Sequence, residues 1–300
     1  MFRWGASAPL ELIDKGPLAQ MYTLSPFVWR AGERYGLLLR AVNHATRDVD
    51  KVSQIYYGTS EDGMRFRMES HPVIAPGPEI EDRDGCEDPT VAVVDDTISV
   101  YYTGWNQSQK QGQLMLATGP ARAPAGDQLQ KRGVVLASSE AFQNPKEASI
   151  APCNDGTWRL FFEYGTAGAS RVGMATGPSV DGPWTTQAPP FTVRADSWDS
   201  EHLSPGPILL SDPSRPIMFY NGSTKKTAWR VGWIAFDATY TRVVARCKEP
   251  LFTPPPPDPG YRDIAFAAST VEADGDIWLY YSLADKEMMR GTLQRSHEPA

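Results

Sequence analysis

Histidine and cysteine are scarce in this chain: its 300 residues carry four histidines and three cysteines. Cys86, Cys153 and Cys247 are odd in number and far apart, which argues against a disulfide framework and offers no metal-ligand spacing. No metal is expected, and a reducing, cytoplasmic compartment is the default. Positive charge is also short. Lysine and arginine total 29 against 36 aspartates and glutamates, a formal net charge of -7. A nucleic-acid partner would need a basic face, so none is expected. No apolar run approaches membrane length, and Met1 to Ala6 lacks the basic-then-apolar order of a secretion signal, so no membrane partner is expected. Finally, no stretch carries a long apolar pattern of helical period.

What the chain does have is turn residues, with 25 glycines and 26 prolines, and a repeat. Five short strands recur about every 60 residues: Leu37-Leu38-Leu39-Arg40, Ile98 to Tyr102, Trp158 to Phe162, Ile217 to Tyr220 and Ile277 to Tyr281. Each is followed by a partner strand: Gln54 to Ser60, Gln113 to Thr118, Arg171 to Thr176, Arg230 to Ala235 and Glu287 to Gly291. Turns such as Glu61-Asp62-Gly63, Asn154-Asp155-Gly156 and Asp274-Gly275-Asp276 supply the positive φ that tight reversals need. A small meander cannot bury both faces alone, so radial packing is the economical closure. The expected fold is all-β, a five-bladed β-propeller of four-stranded antiparallel blades spanning residues 1–300 as one catalytic domain. A β-sandwich does not explain so long a period. The proline-rich stretches Ala123 to Gly126 and Pro254 to Gly260 read as stiff spacers between blades.

Gly85-Cys86-Glu87-Asp88-Pro89-Thr90 places two carboxylates before a proline and an alternating apolar run. Pro89 pushes Asp88 toward an extended conformation, which predicts that Glu87 and Asp88 point to opposite sides, one into a pocket and one into the turn. A like charge from Glu87 would then raise the Asp88 pKa toward use as an acid. Trp105 is placed to stack on a sugar ring, although a core tryptophan is the base-rate reading. The acidic run Glu79 to Asp84 reads as a solvated loop at a pocket mouth and not as a calcium site.

Ordered segments resemble glycoside hydrolase family 130, the β-mannoside phosphorylases and hydrolases. They are Tyr35 to Ala41, Ser53-Gln54-Ile55, Ser60 to Gly63, Pro72 to Pro76, Glu87-Asp88-Pro89, Tyr220-Asn221-Gly222, Arg230 to Asp237, Glu249 to Pro254 and Leu279 to Asp285. Residues 145–184 match least. The resemblance implies a five-bladed propeller that cleaves a β-mannosidic bond of an oligosaccharide with inversion. It implies Asp88 as general acid, working through a sugar hydroxyl, beside Glu87, and Arg40 in the active centre with a central role for Asp285. Phosphorylases of this kind carry arginine at the place of Thr90, histidine at Asn221 and a Lys-x-Gly element at His202-Leu203-Ser204. Those substitutions weaken a phosphate site, because an anionic nucleophile needs charge-assisted donors. Arg40, Arg230 and Lys225 or Lys226 remain.

Hydrolysis is therefore expected over phosphorolysis, with inorganic phosphate as co-substrate in the second case. Water attack with inversion needs a base across the sugar from the acid. Glu147 and Glu201 occupy the places before the blade-three and blade-four strands that Asp88 holds in blade two, and Glu147 also resembles the third-blade acid of related five-bladed glycosidases. Either glutamate, or His202 and Asn221 beside the substrate, can instead be a plain loop residue. Arabinofuranosidase-type and fructosidase-type specificities are disfavoured, since the aspartate they carry at the start of blade one is missing from Leu24-Ser25-Pro26-Phe27. A non-catalytic sugar-binding propeller is the remaining alternative. A homo-oligomer stays open.

Overall fold

The computed structural model describes residues 2–121, 129–224, 228–254, 262–273 and 275–295. Among them are β-strands and three short 3-10 turns but no α-helix. The strands form five four-stranded antiparallel blades. Blade one runs outward through Met21–Ala31, Arg34–Asn43, Ser53–Ser60 and Arg65–Met68. Blade two runs through Gly85–Val94, Thr97–Asn106, Gln111–Pro120 and Gln130–Leu136. Blade three uses Gln143–Pro152, Trp158–Thr166, Ala169–Gly177 and Thr185–Gln187.

Blade four has three strands interrupted midway. His202–Ser204, Asn221–Ser223 and Trp229–Val231 pair near the centre, while Ile208–Leu209, Ile217–Met218, Ile234–Phe236 and Val243–Arg246 pair farther out. Its innermost strand breaks at Pro205-Gly206-Pro207, where a Cβ on Gly206 would meet the Phe219 carbonyl oxygen at 1.9 Å. Only glycine fits that approach. Blade five contains Ala265–Ala273, Asp276–Leu283 and Glu287–Arg295, and its outermost strand is Phe2–Pro9 from the other end of the chain. The first strand thus closes the last blade. The innermost strands touch in sequence around the ring, blade five meeting blade one.

The aromatic pairs of the repeat explain why the ring holds. Successive strand residues point to opposite faces, so a strand buried on both sides reads as continuous apolar sequence. Phe161 packs with blade-four residues such as Phe219 and Phe236, whereas its neighbour Phe162 packs with Tyr101, Leu114 and Leu116 of blade two. Tyr101 and Tyr102 divide in the same way between blades three and one. Each pair is a wedge into two interfaces. Ala123 to Gly126, Pro255 to Gly260 and Asp274 lie outside the described residues. No helix among the described residues is long and apolar enough to cross a membrane.

Candidate active site

Three innermost strands carry the same irregularity. The pairing slips between Leu24 and Phe27, between Glu87 and Thr90, and between Lys146 and Ser149. At each slip one residue adopts a left-handed backbone: Ser25 at φ 51, Asp88 at φ 50 and Glu147 at φ 51. Extra residues in a bulge bend the strand and re-aim side chains. The expectation of an extended Asp88 with Glu87 facing away is therefore corrected. Proline at the next position disfavours the right-handed helical region but leaves the left-handed one, which aspartate tolerates. Both carboxylates consequently turn to the same side.

They meet Arg40, which comes from the second strand of blade one. Its Nη2 reaches Glu87 Oε1 at 2.7 Å and its Nη1 reaches Asp88 Oδ1 at 3.2 Å. Nε donates to Ser53 Oγ at 3.2 Å, and that hydroxyl donates to Glu87 Oε1 at 3.0 Å. Ser25 Oγ donates to Asp88 Oδ1 at 2.8 Å. The Glu147 carboxyl is in hydrogen-bond contact with Asp88 from the third blade. Lys146 Nζ faces Glu163 Oε1 at 3.4 Å, and Glu163 is buried.

All of these groups except Ser53 line a central cavity of about 560 Å³, a size suited to a small sugar ligand. Tyr22, Lys51, Trp229, Arg262, Phe266, Asp285 and Lys286 complete much of its wall. Arg262 Nη1 contacts Asp285 Oδ2 at 3.3 Å. The Trp229 ring stands edge-on to Phe266 with centroids 5.3 Å apart. The cavity thus joins a polar wall from blades one to three to a partly aromatic wall from blades four and five.

The charges do not distribute as expected from the sequence. Burial, followed by the Arg40 and Ser25 contacts, acts on Asp88; burial alone would push its pKa up, but Arg40, the Ser25 hydroxyl and Lys146 outweigh it and hold Asp88 below the usual aspartate value. The repulsion between Glu87 and Asp88 falls on Glu87 and does not outweigh these contacts. Burial pushes Glu147 well above the ordinary glutamate value, and the negative charge of Asp88 adds to that. Glu87 is also raised, chiefly by burial and against the pull of Arg40. Lys146, drawn by Glu163, is held above its usual value and stays charged. The opposite shifts within the pair favour Glu147 as the carboxyl that carries a shared proton and Asp88 as the ionised one. Direct contact also places the two carboxyls on one side of the cavity, whereas an acid and base that enclose an attacking water stand roughly 6.5–9.5 Å apart.

Among the residues expected from sequence, Arg40, Glu87, Asp88, Glu147 and Asp285 converge on the cavity. Glu201, His202, Asn221 and Trp105 are not part of its wall. Glu201 is held through its backbone, with its N–H donating to the Ser223 carbonyl at 3.0 Å and its carbonyl accepting from Arg171 Nη1 at 2.6 Å. His202 Nδ1 accepts the Ser170 N–H at 3.1 Å, and its ring lies 5.8 Å from that of Trp229. Asn221 is fully buried and ties blade four to blade five, accepting the Ala267 N–H at 2.7 Å and donating to the Pro205 carbonyl at 3.1 Å. Trp105 Nε1 donates to Gln107 Oε1 at 3.0 Å. Of the basic residues expected to hold phosphate, Arg230 is paired with both oxygens of Asp263, and Lys225 and Lys226 lie outside the described residues. The acidic run is solvated at Glu79, Ile80 and Arg83 but anchored at Asp82, which is completely buried and bound to Lys131 Nζ at 2.6 Å and Tyr102 Oη at 2.9 Å.

Glu163, Lys146 and Trp229 were missed. A signal existed for Glu163, which ends the apolar run of its strand as Arg40 ends Leu37-Leu38-Leu39. The registers agree: Leu24 faces Arg40, Glu87 faces Thr103 and Lys146 faces Glu163, each beside its bulge.

No protein-family model matches the chain, and no curated protein matches it either. Solved structures do. The β-1,2-mannobiose phosphorylase from Listeria innocua in complex with β-1,2-mannobiose superposes with a TM-score of 0.76 at 16% identity, covering 97% of this chain and 96% of that one. A structure described with the GH130 mannoside phosphorylases, a family containing glycoside hydrolases that target β-1,2-mannosidic linkages in Candida mannan, gives a TM-score of 0.76 at 22% identity over 99% and 96% of the two chains. A mannose phosphorylase from Leishmania mexicana in complex with a phosphate ion gives 0.69 at 14% identity over 97% and 89%. At these identities the likeness is one of fold, and it extends over nearly the whole of each chain.

Proposed function

We propose that this chain is a divergent member of glycoside hydrolase family 130, a single-domain enzyme that cleaves β-mannosidic bonds of an oligosaccharide by hydrolysis with inversion. The observation that carries this reading is the contact between the Asp88 and Glu147 carboxyls beside Arg40 in a sugar-sized cavity, an arrangement that favours one proton shared by the pair. Glycosidic cleavage needs that proton, because an alkoxide is a poor leaving group. Glu147 supplies it to the leaving oxygen. Asp88, kept ionised by Arg40 and Ser25, keeps the proton on its neighbour until the bond breaks. Glu87 and Ser53 hold Arg40 in place from its other side.

Water is favoured over phosphate because Thr90, Asn221 and His202-Leu203-Ser204 stand where phosphorylases of this kind carry arginine, histidine and Lys-x-Gly, so charge-assisted donors that an anionic nucleophile needs are missing. Glu87 and Asp88 beside Arg40 suit a sugar cation developing at the anomeric carbon. Phosphorolysis is the alternative, motivated by Lys51, Arg262 and Lys286 on the same cavity. In a second assignment, Asp88 receives the shared proton and passes it through a sugar hydroxyl.

Product analysis on β-1,2-, β-1,3- and β-1,4-linked mannosides, with and without inorganic phosphate, tests the reading. Free mannose formed at the same rate in both conditions is expected. Mannose 1-phosphate appearing only with phosphate would make the chain a phosphorylase, and tight binding without any product would make it a sugar-binding propeller.

A further inference from the structure

Four of the five carboxyls on the cavity come from neighbouring blades: Glu87 and Asp88 from blade two, Glu147 and Glu163 from blade three. Asp285 comes from blade five. Blade one separates it from blade two, and blade four separates it from blade three. Asp285 is thus the one carboxylate among the described wall residues that stands across the axis from the proton-holding pair. We propose that Asp285 is the base that activates the attacking water, an assignment that rests on the hydrolytic reading above.

The backbone around it gives a second reason. Ala284 and Asp285 are the two central residues of the hairpin turn between Asp276–Leu283 and Glu287–Arg295, and both have positive φ, 55 and 56. The Lys286 N–H donates to the Leu283 carbonyl at 3.1 Å, which makes Leu283 to Lys286 a turn of type I′ within a three-residue connection. Such turns ordinarily use Asn-Gly or Asp-Gly. This one has no glycine, and non-glycine residues in the left-handed region are retained where the surrounding structure over-determines them, which happens often at functional sites. The turn is fixed from outside as well, since the Ala284 N–H donates to the Ile264 carbonyl at 2.8 Å and Arg262 holds the carboxylate. A loose loop could not hold a base steady; this turn can.

In the proposed step the water oxygen bonds to the anomeric carbon on the face opposite the leaving oxygen, and one water proton passes to Asp285. The electron pair of the breaking glycosidic bond goes to the leaving oxygen, which takes the proton of Glu147. Mannose leaves with inverted configuration, Asp285 is now protonated and Glu147 ionised, and exchange with solvent resets both. No further reactant is required.

The test uses the full chain, an aryl β-mannoside with a good leaving group, and sodium azide. Asp285→Ala and the shape-preserving Asp285→Asn should each lower kcat by roughly 100- to 10,000-fold while keeping the wild-type melting temperature. Azide should restore turnover in Asp285→Ala and yield α-mannosyl azide, a product a positioning role would not generate. Glu147→Gln should keep much of its activity on this substrate with no azide. Wild-type kcat in both Asp285 variants, or a loss that azide leaves unchanged, would overturn the assignment while hydrolysis itself stands. Wild type that forms only mannose 1-phosphate would overturn the hydrolytic reading and the assignment together. Should Asp285→Ala fail to fold, Asp285→Asn with wild-type kcat still overturns it and a loss in kcat with intact folding still supports it.

Discussion

Among the described residues, two clusters bring a buried aspartate to arginine, and they are built in opposite proportions. In blade four, Asp199 is completely buried and receives Arg194 Nη2 at 3.0 Å, Arg246 Nη2 at 2.5 Å and Tyr220 Oη at 2.6 Å. Two cations serve one acid, and Arg246 also lies over the Phe191 and Tyr220 rings. At the cavity, one arginine serves Glu87 and Asp88, with Glu147 beside them. Satisfied charge away from the central cavity is architecture, linking blade four to the segment 194–199. Acid in excess, opening onto the cavity, favours a shared proton, and in the proposed function that proton is the reagent.

The contrast is broken most severely by removing one acid from each cluster. Glu147→Gln should lower kcat on unactivated mannosides by roughly 100- to 10,000-fold, since a positioned proton donor contributes about that much. Its melting temperature should not fall, because the substitution removes a carboxyl that the fold already penalises. Asp199→Asn should do the reverse. Breaking a buried ion pair typically costs about 3–5 kcal/mol, which for a chain of this size lowers the melting temperature on the order of 10 °C. Folded Asp199→Asn should turn over substrate like wild type. Calorimetry and steady-state kinetics on both proteins read the crossed pattern, and loss of kcat in Asp199→Asn with intact stability would dissolve the distinction.

A smaller effect separates the clusters by pH. Asp199 is pushed up by burial but pulled lower by Arg194, Tyr220 and Arg246, so its net pKa is depressed. A depressed carboxyl stabilises the fold above its ordinary value near 3.9 and loses that contribution as pH falls through the folded value. Glu147 has the opposite sign: its raised pKa costs stability increasingly from about pH 4 upward until its folded value is passed. Chemical denaturation across pH should therefore show the Asp199→Asn deficit shrinking in acid and the Glu147→Gln advantage growing toward neutrality. In kinetics, wild-type kcat/KM should fall as pH rises through the Glu147 ionisation. Asp88→Asn removes a negative neighbour of Glu147, so the alkaline limb of its residual activity should move to lower pH; an unmoved limb would separate the two carboxyls.

The fold was legible because the wedge strands repeat: every pair from Leu37-Leu38 to Tyr280-Tyr281 sits where two blade interfaces demand apolar side chains on both faces. Arg40, Asp88 and Glu147 were legible as well, each adjoining such a strand. Their electrostatics were not. Extended geometry at Asp88 was the local rule before proline, and the bulge that replaces it depends on pairing with Thr97–Asn106, which no local stretch encodes. The partner that sets the Asp88 charge, Arg40, stands 48 residues away. Asn221 was singled out by the family resemblance and Trp105 by its place after a repeat strand, but Asn221 turns into the interface of blades four and five, whereas Glu163, at the corresponding place after Phe161-Phe162, faces the cavity.

The smallest expected effect carries the comparison to aromatic residues. Trp229 lines the cavity and its ring is braced by Phe266 and His202, while Trp105 stands away from the cavity with its indole N–H bound to Gln107. An indole face suits the apolar C–H side of a pyranose, and a ring contact of this kind contributes about 0.5–1.5 kcal/mol. At about 1.4 kcal/mol per factor of ten, Trp229→Ala should raise KM by roughly 2- to 12-fold with little change in kcat. Trp229→Phe, which keeps a ring, should recover part of that loss. Trp105→Ala should leave KM unchanged and act on stability alone. The reverse ranking would mean that the sugar approaches over blade two, and the aromatic wall of blades four and five would then be packing rather than a binding face.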